Sequence, residues 1–277
     1  IGHAAAPAAL AVNRRHPDGP LDPTLDVLRF DAADGTPIAV AFAYACHPTI
    51  VGPGNSLLSA DWPGAARAMV EHALPGTVAV FLQGCCGDCN VGHSAHASMD
   101  GTGIGARTPA EAERRGAGIG REVLALAGRV QAMPDTVAAE TSEWSWRWTA
   151  KDAASVAASD PPTPAEALIQ ALVPIWRDRL QAHTPMVETL TAVWFLWGDA
   201  LLVLCSGEPF TALGLQLRAA GAGIIPLGYA NGTPGYLPYP RSERDLGGYE
   251  VEEAHVVYGR PAPVPDGFAQ HVLAHAR

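Results

Sequence analysis

The sequence predicts a single α/β domain over residues 1–277, a mixed sheet with flanking helices. Three observations point there. Apolar β-rich segments and capped amphipathic segments follow one another in mixed order. No internal repeat, linker or domain boundary interrupts them. The 277 residues, 48% of them hydrophobic, suffice for one large core.

In chain order, Thr24 to Phe30 and Pro37 to Ala45 are β-rich runs joined by Asp31-Ala32-Ala33-Asp34-Gly35, a hairpin signal. Asp61 precedes Trp62-Pro63 and an alanine-rich amphipathic stretch to Leu74, which reads as an N-cap with proline in the first helical turn. Thr77 to Leu82 is short and wholly apolar and reads as a central strand. Thr108-Pro109 opens a helix to Val130. Its Gly116, Gly118 and Gly120 mark close packing rather than a phosphate loop, because they lie within the helix and not after a strand. Trp144, Trp146 and Trp148 alternate with polar residues between Thr141 and Thr149, one face of a strand and a core stripe, with an apolar substrate wall as the alternative.

Thr163-Pro164-Ala165-Glu166 is a capping box for a helix to Ala182. Thr189 to Trp197 and Ala200 to Cys205 form a second hairpin about Gly198-Asp199. Glu208 is expected to open a helix to Ala220. Gly223 to Ala230 is a further strand, and the proline-rich stretch from Arg260 to Asp266 is loop before a short last helix.

Composition excludes several classes. A net charge of -10 leaves no basic patch to neutralise phosphates, so no nucleic-acid partner is expected. Lys151 is the only lysine, in a polar loop that would not lower its pKa, which disfavours Schiff-base chemistry. No apolar run approaches the ~20 residues of a membrane span. Of five cysteines, Cys85, Cys86 and Cys89 crowd together. Cys86 and Cys89 form a C-x-x-C without a second pair at zinc-site spacing, so they read as small buried thiols, with a disulfide or a nucleophile as the alternatives.

The densest signal lies between Tyr44 and Asn90. Ala45-Cys46-His47-Pro48-Thr49 ends one apolar strand, Ser59-Ala60-Asp61-Trp62-Pro63-Gly64 follows a glycine-rich loop, and a second apolar strand breaks into Gln83-Gly84-Cys85-Cys86-Gly87-Asp88-Cys89-Asn90. Apolar runs that end in His, Asp and Cys place reactive groups at strand ends. Any one of them alone could equally be a core histidine or a loop aspartate. Glu208 alone could be a carboxylate offsetting a helix dipole.

This string resembles the catalytic domain of the neutral, non-lysosomal ceramidase family and its shorter bacterial relatives. Ala11-Val12-Asn13-Arg14-Arg15 is similar to the family's Asn-Arg segment, and Ser206 to Arg218 to its Gly-Glu-Phe-Thr-Thr helix start. Gly228-Tyr229-Ala230-Asn231, Tyr236 and Gly248-Tyr249-Glu250 resemble its tyrosine-bearing loop. The resemblance implies a zinc-dependent amide hydrolase acting on a small-molecule amide. His47, Glu208 and Tyr236 match the Zn2+ ligands; Arg14 and Tyr249 match positions that contact the scissile amide. Asp61 and Asp88 are candidates to orient ligands from behind.

The sequence also departs from the family. Ceramide-cleaving members carry a serine where Asn90 stands. An amide can donate to an oxyanion but cannot accept an acyl group, so Asn90 is a candidate donor and ceramide itself is not the expected substrate. The family's opening segment, with a zinc-binding histidine, is not found, and the chain begins at Ile1 without Met or a signal pattern. The expectation is one product of a cleaved precursor, paired as a heterodimer with a second polypeptide that supplies the remaining zinc ligand. The strand from Thr24 is then expected to lack a sheet neighbour. Ile1 has no hydroxyl or thiol and cannot serve as an N-terminal nucleophile. The compartment stays open, secreted or periplasmic by resemblance and otherwise cytoplasmic. Two rival readings stand beside the hydrolase. One is a cysteine hydrolase using Cys89 or Cys86 with His93 or His96 as base; the other is a non-catalytic binding subunit of the same fold.

Overall fold

Apolar residues appear on both faces of the paired strands, and this decides the layering. The structure, a computed structural model, describes residues 1–102, 105–148, 187–260 and 262–275. Its first sheet has five strands in the order β5 (Val78–Gln83), β4 (Pro37–Tyr44), β3 (Thr24–Asp31), β1 (Gly2–Pro7) and β7 (Gln131–Ala132). The second has four, in the order β12 (Ile224–Leu227), β10 (Ala200–Cys205), β9 (Val187–Trp197) and β8 (Val137–Arg147). Both sheets are mixed: β4 and β5 run parallel, as do β10 and β12, and the other pairings are antiparallel.

Leu28, Ala41 and Ala43 of the first sheet meet Leu202, Ile225 and Leu227 of the second, so the sheets pack face to face. The opposite face of the first sheet, with Leu25, Val27, Val40 and Phe42, buries helices α1 (Asp61–Ala73) and α3 (Pro109–Ala127). The opposite face of the second, with Leu190, Ala192, Val203 and Cys205, buries α4 (Thr211–Ala220) and α5 (Phe268–His275). The result is four layers, helix, sheet, sheet, helix, in one domain. A short helix α2 (Ala95–Asp100) and the helical turns Arg241–Asp245, Tyr249–Glu252 and Ala254–Val257 lie outside these layers.

Both hairpins form where the sequence places them, with a bulge at Phe30/Asp31 in the first. Thr108 caps α3 through the Glu111 amide. A Cβ on Gly116 would lie 2.3 Å from the Trp62 carbonyl oxygen, and one on Gly120 2.7 Å from Met69 Cβ, so these glycines let α3 seat on α1. Gly118 faces open space. Trp144 and Trp146 pack against the second sheet's core. The capping box at Thr163 and its helix to Ala182 lie outside the described residues.

Four expectations need correction. The strand from Thr24 does not lack a neighbour, because β1 pairs along it from Gly2↔Arg29 to Pro7↔Thr24. The apolar strand after Thr77 is not central. Among the described residues it is the edge strand β5, with Val78 and Val80 exposed; a wholly apolar run marks burial on both faces in an isolated reading but cannot specify how many neighbours a strand has. Asp61 does not cap α1 from outside. It is the helix's first residue, at φ 50, and its carboxylate receives the amides of Ile50, Val51 and Trp62. Glu208 does not open a helix either. It lies with Pro209 in the two-residue strand β11, paired with β13 (Tyr236–Leu237), and α4 begins at Thr211.

Candidate active site

The carboxyl ends of the two parallel strand pairs meet, β4 and β5 from one sheet, β10 and β12 from the other, joined by a bridge between Gly84 and Leu227. Chains leave the sheets there, and side chains at such ends project into the crevice between the departing loops. A cavity of about 540 Å³ opens at this point, lined by His47, Phe81, Gln83, Glu208 and the tyrosines 229, 236 and 258.

His47 follows β4 and is held by one acceptor, the Cys89 carbonyl, which receives its backbone amide at 3.1 Å and its ring Nδ1 at 3.0 Å. A carbonyl only accepts, so Nδ1 carries a proton and Nε2 faces the cavity. There Nε2 lies 2.9 Å from Glu208 Oε2 and 2.7 Å from the Tyr229 hydroxyl, which donates to the same carboxylate oxygen at 2.5 Å. The Tyr258 hydroxyl donates to the other oxygen, Oε1. Glu208 is 2% exposed. A ring nitrogen and a carboxylate oxygen facing each other at 2.9 Å inside the protein are joined by a shared proton or by a cation bound between them.

Backbone conformation sets this convergence. Gly207, at φ 75, turns the chain into Glu208, and its carbonyl receives the Tyr229 amide. Tyr229 itself is at φ 60, a left-handed conformation that costs a non-glycine residue about 1–2 kcal/mol. Gly87 packs against β11, where a Cβ would lie 2.6 Å from the Glu208 carbonyl oxygen.

The Asn-Arg segment is strapped to the same loop. β2 (Val12–Asn13) pairs with β6 (Cys89–Asn90), and the Arg14 amide donates to the Asp88 carbonyl. The Arg14 guanidinium donates to Glu250 at 2.9 Å, to the Gly87 carbonyl at 2.9 Å and to the Tyr236 hydroxyl at 3.1 Å. Burial disfavours its charge, but Tyr236 and Glu250 outweigh that and raise its pKa. Tyr236 stands between two spaces: it lines the His47 cavity, and its ring meets Tyr249, which lines an adjoining cavity of about 600 Å³ with Arg14, Arg15, His16 and His96. Burial pushes the Tyr249 phenol up to about 12.

The structure therefore brings His47, Glu208 and Tyr236 into one cavity and places Arg14 and Tyr249 beside it. It does not bring Asn90 there. That side chain is fully buried, its oxygen receiving the amides of Gly92 and His93 and its nitrogen donating to the His93 carbonyl. Asp61 fixes the loop after His47 without touching the ring. Asp88 receives the Thr211 amide and hydroxyl and the Asn13 amide nitrogen. Cys86 and Cys89 are buried, and burial pushes both thiols up. Their polar neighbours are Gln83, Tyr229, Pro20 and Thr211, with no histidine among them. Sequence reasoning passed over the side chains of Tyr229 and Tyr258. The first lies in the motif Gly228 to Asn231, but only its backbone conformation shows where it points; Tyr258 has no motif around it.

The donors suit a small dication in kind: one imidazole nitrogen, one carboxylate and phenol oxygens. Among the described residues no group of three or more His, Cys, Asp and Glu could hold a metal; the oxygen donors that meet His47 and Glu208 are tyrosine hydroxyls. Tetrahedral zinc at 2.0–2.2 Å keeps its ligands roughly 3.3–3.6 Å apart. His47, Glu208 and Tyr229, now 2.5–2.9 Å apart, would need to separate by roughly 0.4–1.1 Å to admit it.

No family model matches the chain, and no curated protein matches it either. Its fold does match solved structures. The crystal structure of neutral ceramidase from Pseudomonas aeruginosa superposes with a TM-score of 0.64 at 18% identity, over 99% of this chain and 51% of that one. Ceramidase complexed with C2 gives 0.61 at 18% identity with the same coverage. The chain spans about half the length of the structures it matches. The fold is ceramidase-like, a mixed α/β domain as the sequence predicted.

Proposed function

We propose that the protein is a zinc-dependent amide hydrolase whose substrate is an N-acyl or related amide other than ceramide. The observation that carries this reading is the meeting of His47 Nε2, Glu208 and tyrosine hydroxyls in one cavity, at the strand ends of a ceramidase-like fold. His47 and Glu208 would hold the ion with a tyrosine, for which the resemblance favours Tyr236. Bound zinc supplies a polarised carbonyl and an activated water.

The chain's own residues prepare that chemistry. The Cys89 carbonyl fixes the His47 tautomer, and Tyr258 fixes Glu208. Arg14 donates to the Tyr236 hydroxyl and so fixes its oxygen at the cavity wall. Tyr249 extends the wall toward the adjoining cavity, large enough for one side of the amide. A further strong donor is proposed to come from a second polypeptide. It would enter where Phe81 and Gln83, at the end of β5, an edge strand among the described residues, line the cavity. The buried, neutral thiols argue against a cysteine nucleophile.

The test is zinc content and hydrolysis of a panel of N-acyl amides. About one zinc per site is expected, with His47→Ala and Glu208→Ala each removing both metal and turnover. Full turnover by metal-free His47→Ala protein would end the proposal.

A further inference from the structure

A row of rings joins the His47 cavity to its neighbour: His47 to Tyr236 at 6.4 Å between centroids, Tyr236 to Tyr249 at 6.0 Å, and Tyr249 to His96 at 5.8 Å. The neighbouring cavity, of about 600 Å³, is walled by Tyr249 and His96 and by the charged side chains of Arg14, Arg15, Glu243 and Glu250. These charges pair off with one remainder. Glu250 receives Arg14 Nε on one oxygen and Arg15 Nη1 on the other. Glu243 receives Arg15 Nε on one oxygen and faces His16 Nε2 with the other. Arg15 donates Nη2 to the Glu243 and Gly247 carbonyls. Every oxygen of the two carboxylates and every nitrogen of the Arg15 guanidinium is thus engaged. Arg14 has a donor left: Nη2 serves the Gly87 carbonyl and the Tyr236 hydroxyl, but Nη1 has no partner among the described residues. That nitrogen is not sealed from the cavity, although the side chain is only 4% exposed. Arg14 keeps its charge, because Tyr236 and Glu250 outweigh the burial that opposes it. The Tyr249 phenol, pushed up to about 12 by burial, keeps its proton and can donate from the same wall. A buried guanidinium with a spare donor, beside carboxylates whose oxygens are already engaged, is complementary to an anion.

We infer that this cavity receives a carboxylate of the substrate, held by Arg14 Nη1 with the Tyr249 hydroxyl. The amide cleaved is then one that carries a carboxylate close to its carbonyl: an N-acyl amino acid, or a half-amide of a dicarboxylic acid. For the bond that is cleaved this rests on the hydrolase reading above; the carboxylate site itself does not need it. One guanidinium faces both spaces, with Nη2 on Tyr236 in the wall of the His47 cavity and Nη1 in the neighbouring one. The two groups recognised must therefore lie near each other in the substrate. In an N-acylglycine and in a succinic half-amide alike, three bonds separate the amide carbonyl carbon from the carboxylate carbon. A hydrocarbon tail in the same place would desolvate Arg14 Nη1 and leave it unpaired.

The test is calorimetric titration of the full chain with two matched pairs, N-octanoylglycine against its carboxamide and N-octylsuccinamic acid against its carboxamide. A chelator is present throughout, so that neither turnover nor a bound metal contributes. One acid should bind at least about 10-fold more tightly than its own carboxamide, and the pair that shows this tells which half of the amide carries the carboxylate. Replacing both members of the ion pair together, Arg14→Gln with Glu250→Gln, should abolish the preference, and Tyr249→Phe should reduce it. Circular dichroism checks that each variant is folded. Should the double variant not fold, Arg14→Lys serves instead: one ammonium cannot hold Glu250, Tyr236 and the ligand at once, so the preference should again fall. Equal binding of acid and carboxamide in both pairs would overturn the inference, as would a preference undiminished in the Arg14 variants. Hydrolysis with zinc supplied separates this result from the reading it rests on. Carboxamides bound and cleaved as well as their acids would sink the carboxylate site and leave the hydrolase standing. Arg14-dependent binding of an acid, with no amide cleaved, would keep the carboxylate site and end the hydrolase reading.

Discussion

Asp88 joins the candidate site to the core, and replacing it should cost far more than one hydrogen bond. Its side chain is fully buried. One carboxylate oxygen receives the Thr211 amide and hydroxyl, each at 2.7 Å; the other receives the Asn13 side-chain nitrogen at 2.9 Å. Thr211 is the first residue of α4, and the N-cap residue Phe210 offers no side-chain acceptor. Asp88 therefore caps that helix from another part of the chain. Asp88→Ala removes three bonds to a charged acceptor and strands two buried donors on Thr211. Each such bond is worth about 1.5–3 kcal/mol, offset in part by release from burying a carboxylate, so a net loss of about 3 kcal/mol is expected. Thermal unfolding should show a fall in Tm of roughly 6–12 °C. Asp88→Asn keeps one acceptor oxygen for Thr211 but turns an amide donor toward Asn13, and should cost about 1–2 kcal/mol. The pH dependence has a definite sign. Burial raises the Asp88 pKa above 3.8, despite the Thr211 hydrogen bonds that lower it. In the window from 3.8 up to that raised value the folded state binds more protons than the unfolded one, so stability falls as pH rises. The advantage of the wild type over Asp88→Asn should be larger in acid and shrink toward neutrality. A Tm for Asp88→Ala within about 2 °C of the wild type, or an advantage that grows with pH, would refute this reasoning.

Local signals reached far into the fold. The hairpins at Asp31 to Gly35 and at Gly198-Asp199 are legible because a short turn between two β-rich runs leaves the strands little choice of partner. The caps at Thr108 and the close-packed Gly116 and Gly120 are legible for the same reason: the cause lies within a few residues. What failed was long-range pairing. Nothing in Thr77 to Leu82 says that β5 pairs with β4 alone among the described strands, and nothing in Gly2 to Pro7 announces that it will cover β3. Glu208 was misplaced because the following helix begins only three residues later, and its true partner, Tyr236, lies beyond α4 and β12.

The site divides along the same line. His47, Glu208 and Tyr236 could be chosen by type and motif, and the fold gathers them in one cavity. Asn90 could be chosen the same way, yet its amide closes a turn, because an Asn two residues before a Gly at φ 111 finds backbone amides closer than any ligand. Tyr229 shows the converse. Its place beside His47 and Glu208 depends on a positive φ and on a carbonyl before Glu208, neither of which a residue pattern records.

Two further predictions separate rival readings at little experimental cost. Iodoacetamide should leave the native protein nearly unmodified at Cys85, Cys86 and Cys89, since burial raises all three thiols and pushes Cys205 to about 12 as well; all five cysteines should react once the chain is denatured. Rapid, stoichiometric labelling of Cys89 that stops turnover would restore the covalent mechanism. The glycines of α3 offer a sharper contrast, because three small residues spaced two apart face different surroundings. A methyl on Gly116 would press to 2.3 Å of the Trp62 carbonyl oxygen and 2.7 Å of Ala65 Cβ, both fixed within α1, so Gly116→Ala must push the helices apart. Overpacking of this kind costs about 1–3 kcal/mol. Gly118 has nothing within 4 Å of its Cβ position, so Gly118→Ala should gain up to about 1 kcal/mol from helix propensity alone. Opposite signs in chemical denaturation are the expected result. Equal effects from the two substitutions would mean that α3 does not seat on α1 through Gly116, and the layer that supports β3 and β4 behind His47 would have to be packed some other way.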